Sequence, residues 1–109
     1  MSPSELIIDT LSFLKIPVRQ GRYGGSNFPY IIFFEVNASD NDFSDDENEI
    51  FEHRFQISLY TKEDTTKLKK EIRKALKSNF YDIKSRDLFD GDINQVIFEC
   101  YFYEEEEEE

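Results

Sequence analysis

Residues 50–60, IFEHRFQISLY, alternate between apolar or aromatic side chains and polar ones, and this pattern restricts the fold more than any other. Successive side chains of a β-strand point to opposite faces of the sheet. One side of the predicted strand therefore holds Phe51, His53, Phe55 and Leu59. The other side holds Glu52, Arg54, Gln56 and Ser58. A strand with one apolar and one polar side is typical of an antiparallel sheet with one solvated face.

Three further segments predict strands. Residues 30–36 are β-branched and aromatic throughout and too short for a helix, so we expect a strand covered on both faces. Residues 93–103 alternate cleanly, and residues 81–89 do so less regularly. Asp90-Gly91 between them is a tight-turn signal, which predicts a hairpin. Residues 18–23 are compatible with either a short strand or a loop.

Two segments predict amphipathic helices. Ser2-Pro3-Ser4-Glu5 has the capping-box spacing with proline at the first helical position, and apolar residues follow at helical spacing as far as Leu14. We predict this helix over residues 3–15, ending before Ile16-Pro17. A second capping-box pattern at residues 61–64 precedes another apolar stripe, which predicts a helix over residues 64–79.

The predicted order is helix, strand, strand, helix, strand, strand. Each helix has one apolar stripe, and two or more strands have one apolar face. The simplest solution is an α+β fold with two helices packed on one face of a four-stranded, mostly antiparallel sheet. A length of 109 residues argues for one domain, which we assign to residues 1–103.

The net charge of −11 is concentrated in two short segments. Residues 104–109 are six glutamates, and seven more acidic residues lie between Asp40 and Glu52. Of the 24 acidic residues, 11 therefore remain against 13 Lys and Arg, so the rest of the chain is about neutral. We expect residues 37–49 to form a mobile acidic loop and residues 104–109 a disordered tail.

The sequence lacks patterns that would indicate catalysis, a cofactor or a metal. Its single histidine, His53, lies in register with inward side chains, and its single cysteine, Cys100, lies in an apolar strand. A calcium-binding loop that started at Asp40 would need glycine at its sixth position and glutamate at its twelfth. Those positions are occupied by Asp45 and Phe51. We therefore predict a protein that is not an enzyme and binds no metal, cofactor, membrane or specific nucleic acid. A small enzyme with an undetected site is the weakest alternative.

Clustered charges of both signs give candidate protein-interaction residues. The acidic loop supplies one set, and the second helix supplies a basic face, although lysines are also the usual solvated face of a helix. Surfaces of opposite charge on one chain suit a head-to-tail ring, in which each copy contacts a different surface of the next. The candidates are Asp40, Asp42, Asp45, Asp46, Glu47, Glu49, Lys69, Lys70, Arg73 and Lys77.

Three stretches carry a resemblance to a known family. They are the strand Phe28-Pro29-Tyr30-Ile31-Ile32, the strand and charged helix HRFQISLYTKEDTTKLKKEIRKAL, and the closing hairpin DLFDGDINQVIFECYFY. In this order they resemble the small tail-completion proteins of long-tailed phages and prophages, also called tail terminators or tail-to-head joining proteins. The resemblance spans most of residues 4–103. The six terminal glutamates depart from the family's pattern.

The resemblance implies a non-enzymatic virion assembly protein. Proteins of this family assemble as a ring, usually of six copies, at the head-proximal end of the tail tube. The ring stops tube growth and binds the head connector, so the implied partners are further copies, the tail tube protein and the head connector. It implies a monomer in isolation, assembly in the host cytoplasm and a final place in the virion. The rival hypothesis is an acidic inhibitor that mimics nucleic acid and binds a basic partner.

Overall fold

A computed structural model describes residues 2–22, 24–25, 27–36 and 50–105. In chain order the elements are α1 (Pro3–Leu11), a 3₁₀ helix (Ser12–Leu14), β1 (Val18–Gln20), β2 (Tyr30–Val36), β3 (Ile50–Thr61), α2 (Thr66–Leu76), β4 (Tyr81–Asp90) and β5 (Ile93–Glu105). This is the predicted α+β order with one short strand added.

The sheet has five strands, in the spatial order β1-β2-β3-β5-β4. The predicted four strands form antiparallel pairs. The prediction of four strands is corrected by β1, in which Val18 to Gln20 pair in parallel with Ile31 to Phe33 of β2. Three residues are too few to show an alternation, so the sequence does not predict this edge strand.

The start of α1 matches the sequence pattern. The hydroxyl of Ser2 accepts a hydrogen bond from the Glu5 amide at 3.2 Å, and the Glu5 carboxylate accepts one from the Ser2 amide at 2.9 Å. This capping box satisfies amides that have no partner inside the helix. The α-helix ends at Leu11, and a single 3₁₀ turn and Lys15, at φ 59°, complete the predicted segment.

The start of α2 differs from its sequence pattern. Thr61 is the last residue of β3, so the predicted capping box over residues 61–64 is wrong. Instead, the Asp64 carboxylate accepts hydrogen bonds from the amide of Thr66 at 3.2 Å and from its hydroxyl at 2.9 Å. These bonds lower the pKa of Asp64. In the described part of the chain, no helix has the length and apolarity that a bilayer crossing requires.

Both helices pack on the same face of the sheet, as predicted. α1 contributes Ile7 and Leu11 to the core, and α2 contributes Ile72 and Leu76. None of these four side chains is exposed to solvent. The sheet residues they cover are Val18, Ile31, Phe33, Phe55, Ile57, Leu59, Val96, Phe98 and Cys100. Each large apolar side chain buried in this way stabilises the fold by roughly 1.5–3 kcal/mol.

The two central strands are longer than their neighbours. Pairing of β2 with β3 ends at Val36 and Arg54, and pairing of β4 with β5 ends at Tyr81 and Tyr101. Beyond these pairs β3 and β5 continue with each other alone. Residues 50–53 and 102–105 therefore form a two-stranded ribbon that extends past the sheet, two residues beyond the predicted strand end at Tyr103.

Candidate functional site

The ribbon marks the end of the sheet to which both acidic segments are attached. Ile50 pairs with Glu105 at its tip, and the predicted loop joins Val36 to Ile50. Glu106 and the three glutamates after it follow Glu105 in sequence. We call the ribbon with residues 37–49 and 106–109 the acidic end. The predicted interaction residues of the loop lie outside the described residues: Asp40, Asp42, Asp45, Asp46, Glu47 and Glu49.

The four predicted interaction cations of α2 divide into two pairs. The Lys69 ammonium lies 3.1 Å from a carboxylate oxygen of Asp87 on β4. The guanidinium of Arg73 donates a hydrogen bond to the hydroxyl of Ser85, also on β4. Lys70 and Lys77 are exposed. Two of the four cations therefore hold α2 against β4, and two face solvent.

The opposite side of the sheet carries neither described helix, and we call it the helix-free face. It is formed by Arg19 of β1, Tyr30, Ile32, Phe34 and Val36 of β2, Arg54, Gln56, Ser58 and Tyr60 of β3, Lys84, Arg86, Leu88 and Asp90 of β4, and Ile93, Gln95, Ile97, Glu99 and Tyr101 of β5. Phe34 is 42% exposed and Leu88 is 40% exposed. The face therefore combines apolar surface with four cations and two anions.

Arg54 lies on the central strand β3 at the ribbon end of the helix-free face, where the pairing of β2 with β3 ends. Its guanidinium carbon lies 5.9 Å from the ring centroid of Tyr101, and a terminal nitrogen lies 3.5 Å from the Glu99 carboxylate. An arginine over a tyrosine ring is attracted by the negative face of the ring. Its buried Nε atom has no hydrogen-bond partner among the residues that the structure describes.

A hollow of about 240 Å³ opens next to Arg54. Lys84, Arg86, Ile97 and Glu99 line it. Within the described part of the chain, neither Lys84 nor Arg86 forms an ion pair. Alternation in residues 50–60 had already placed Arg54 on the polar side. The pattern of residues 81–89 is irregular, so the sequence does not show that Lys84 and Arg86 share a face with Arg54.

A larger groove of about 520 Å³ runs between the two helices on their solvent side. Phe13, 53% exposed, lies at one end of it, and the amide of Asn79 donates a hydrogen bond to Thr10 at 3.3 Å. Asp9 and Lys74 also line it. Its charges are mixed, and of its two hydroxyls that of Ser78 donates to the Ala75 carbonyl and that of Thr10 accepts from Asn79.

His53 and Cys100 are placed as the sequence predicts. His53 packs against the rings of Phe55 and Phe102, and its Nδ1 atom lies 2.8 Å from the Glu35 carboxylate. Cys100 is fully buried, and burial together with nearby Glu99 raises the pKa of its thiol to about 12. A thiol held protonated in a core is a poor nucleophile.

Two further features complete the described surface. Three tyrosines cluster at the base of the ribbon, where the Tyr103 ring lies 5.5 Å from Tyr81 and 6.4 Å from Tyr101. Desolvation, followed by the charges of Glu52 and Asp82, raises the pKa of Tyr103. In residues that the structure describes, no three His, Cys, Asp or Glu side chains are grouped closely enough to hold a metal ion.

Comparison with known proteins gives a family and a fold. Residues 18–97 match the family model of tail completion protein gp17. A solved structure without a functional name aligns over 100% of this chain and 99% of its own, with a TM-score of 0.63 and 11% identity. A chain in the virion of a native gene transfer agent particle aligns over 90% and 92%, with a TM-score of 0.56 and 14% identity. At these identities the structural likeness shows the fold alone, and no curated protein matches the sequence.

Proposed function

Because the chain belongs to the family of tail completion protein gp17, we propose that it completes the tail of a phage or prophage particle. In this proposal several copies form a ring at the head-proximal end of the tail tube. The ring stops the tube from growing and provides the surface to which the head connector binds. The protein assembles in the host cytoplasm and remains in the virion, and it acts by binding and not by catalysis.

The family match is the observation that carries this proposal. It begins at β1 and ends inside β5, so it includes both hairpins and all of α2. The matched segment thus holds β1 to β4, α2 and the first five residues of β5, while α1 and the rest of β5 lie outside it. The structural likeness to a virion chain of a gene transfer agent agrees with the same class of particle.

Charge supports a ring with a lumen through which DNA passes. The acidic end carries Asp40, Asp42, Asp45, Asp46, Glu47 and Glu49 together with the terminal glutamates. Carboxylates of the acidic end that face the lumen and are not bound by a neighbouring copy repel the phosphates of passing DNA and keep it from binding to the wall. Of the cations of α2, Lys69 and Arg73 hold the helix against β4, and the exposed Lys70 and Lys77 belong to its solvated face.

Particles assembled without this protein test the proposal. We expect tail tubes that exceed their normal length or tails that carry no head, measured by electron microscopy of negatively stained lysates. Supplying the wild-type chain restores joined tails of normal length, and so does the control variant Ser78→Ala, which changes an exposed side chain at the end of α2.

Normal, joined tails in the absence of the protein would overturn the proposal. The rival hypothesis predicts that outcome, because an inhibitor that mimics nucleic acid leaves tail assembly unchanged. It also predicts that the purified chain binds a basic DNA-binding protein in competition with duplex DNA. Measuring both tail length and this competition therefore separates the two hypotheses.

A further inference from the structure

We propose that the helix-free face of one copy is the docking surface for the acidic end of the next copy. This inference rests on the proposed function, because it specifies how neighbouring subunits of the ring contact each other. The sequence suggested the cations of α2 as the partner of the acidic segments. The structure favours the other side of the sheet.

The helix-free face has the composition of a contact surface. Leu88 exposes an apolar side chain on β4 next to Arg86, and Phe34 exposes another on β2, with β3 and β5 between them. Apolar area supplies the affinity of a protein interface, while charge sets its register and partner. The hollow is lined by the cations Lys84 and Arg86 and by Glu99, whose carboxylate is paired with Arg54, so two cations are left there to bind carboxylates. Arginine adds a planar fork that binds a carboxylate through two hydrogen bonds.

The solvent side of α2 has a different composition. Its exposed residues include Lys67, Lys70, Lys74 and Lys77 and no large apolar side chain. Isolated surface ion pairs contribute about 0–1 kcal/mol each, because water and salt screen them. Two of its other cations already bond to Asp87 and Ser85. This surface therefore matches a solvated helix face better than an interface.

The acidic end fits the helix-free face as an occupant by shape and charge. The ribbon of residues 50–53 and 102–105 extends past β2 and β4, where no other described strand pairs with it. A two-stranded ribbon is marginally stable alone, so contact with a neighbouring subunit would stabilise it. The ribbon carries Glu52 and is continuous with both acidic segments, whereas the helix-free face has four cations and two anions.

Donor and acceptor surfaces on one chain generate a head-to-tail arrangement. Contacts between two different surfaces produce a closed ring when the rotation between copies closes. Four strands of seven residues give a face on the order of 450 Å² in projection. Because a standard stable interface buries about 800 Å² per partner, one such contact is weak and a closed ring is stable. This agrees with the expected monomer in isolation.

Photocrosslinking of full-length protein bound to tail tubes tests the contact. A benzophenone amino acid replaces Arg86 on the helix-free face in one variant and Lys70 on α2 in a matched control. Both side chains are exposed, so both variants keep the fold. We expect position 86 to crosslink to residues 37–53 or 102–109 of a second copy, identified by mass spectrometry of the crosslinked peptides. Position 70 gives none of these products.

A charge-reversal pair provides an independent measurement. Lys84→Glu with Arg86→Glu should weaken binding of further copies to the tube end by about tenfold or more, since two attractions become repulsions. The control pair Lys70→Glu with Lys74→Glu changes the net charge equally and should alter binding by less than about twofold. Adding a copy with Glu107→Lys and Glu108→Lys should restore part of the lost binding.

The outcomes separate this inference from the proposed function. Crosslinks from position 70 to the acidic end, or from position 86 to a different tail protein, overturn the inference. So does an equal loss of binding in both charge-reversal pairs. A chain that binds tube ends without these crosslinks leaves the function standing and rejects the contact. If the chain does not bind to tube ends, the proposed function is rejected. In that case, crosslinks between copies in concentrated solution would still support the proposed contact.

Discussion

Ile50 of β3 and Glu105 of β5 are paired at the tip of the ribbon, although 55 positions separate them in the sequence. Through this pair the fold attaches two acidic segments, which carry most of the net charge of −11, to one end of the sheet. Because residues 37–49 precede Ile50 and residues 106–109 follow Glu105, we expect their like charges to repel one another.

Added salt should stabilise the isolated protein. Like charges closer than the screening length of about 8 Å at physiological ionic strength repel, and salt weakens this repulsion. Raising sodium chloride from 20 mM to 500 mM should increase the free energy of unfolding by on the order of 1 kcal/mol, measured by urea titration. A chain lacking residues 106–109 is the control and should gain less. An equal gain in both chains would contradict this source of repulsion.

Truncating the core should destabilise the protein strongly. Phe98 is fully buried against both helices, so Phe98→Ala removes a ring from a packed core and should lower the free energy of unfolding by about 3–5 kcal/mol. Phe89, at 75% exposure in the β4–β5 hairpin, provides the matched control. Phe89→Ala should change stability by less than about 0.5 kcal/mol. Thermal unfolding followed by circular dichroism distinguishes them, and similar losses would show that the core is misassigned.

Much of this architecture follows from periodicity in the sequence. The alternation of residues 50–60 and 93–103 places Phe55 and Phe98 on the helix-bearing face, where the structure has them. The capping box at Ser2 and Glu5 predicts the start of α1 correctly. The family resemblance is confirmed over residues 18–97. The capping box depends on contacts between residues close in sequence. The alternation depends only on successive side chains of one strand pointing to opposite faces of the sheet.

The parts that were wrong depend on long-range pairing. The strand β1 gains its partners only from β2, and the pattern at Thr61 to Asp64 was overridden because β3 extends through Thr61 to pair with Asn94. In β4 the register shifts between Tyr81 and Lys84, with Asp82 at φ 54°. This irregularity breaks the period of two. It explains why the helix-free cations Lys84 and Arg86 were not recognised as a surface.

Removing the cap of α1 should weaken the protein by a moderate amount. Ser2→Ala leaves the Glu5 amide without its acceptor and should lower the free energy of unfolding by about 1 kcal/mol. Ser4→Ala, inside the first turn, removes a similar hydroxyl without this bond and should be neutral or slightly stabilising. Urea titrations of the two variants provide the measurement. Equal losses would mean that the hydroxyl of Ser2 does not act as a cap.

The thiol of Cys100 should be protected in the folded protein and should make stability fall at high pH. Burial raises its pKa from 9.0 to about 12. Below pH 9 the thiol is protonated in both the folded and unfolded states and adds no pH dependence. Between pH 9 and about pH 12 only the unfolded thiol ionises, so stability should fall by roughly 1.4 kcal/mol per pH unit.

Two measurements check this expectation. A disulfide reagent at pH 8 should label Cys100 rapidly in 8 M urea and only at the rate of unfolding in buffer, because the buried thiol is inaccessible and protonated. Denaturation curves of the wild type and of Cys100→Ala between pH 8 and pH 11 then isolate the thiol, since the two chains share all six tyrosines. The wild type should lose stability faster than the variant over this range. Parallel pH profiles, or rapid labelling in buffer, would place Cys100 outside the core and contradict the packing of β5 beneath the helices.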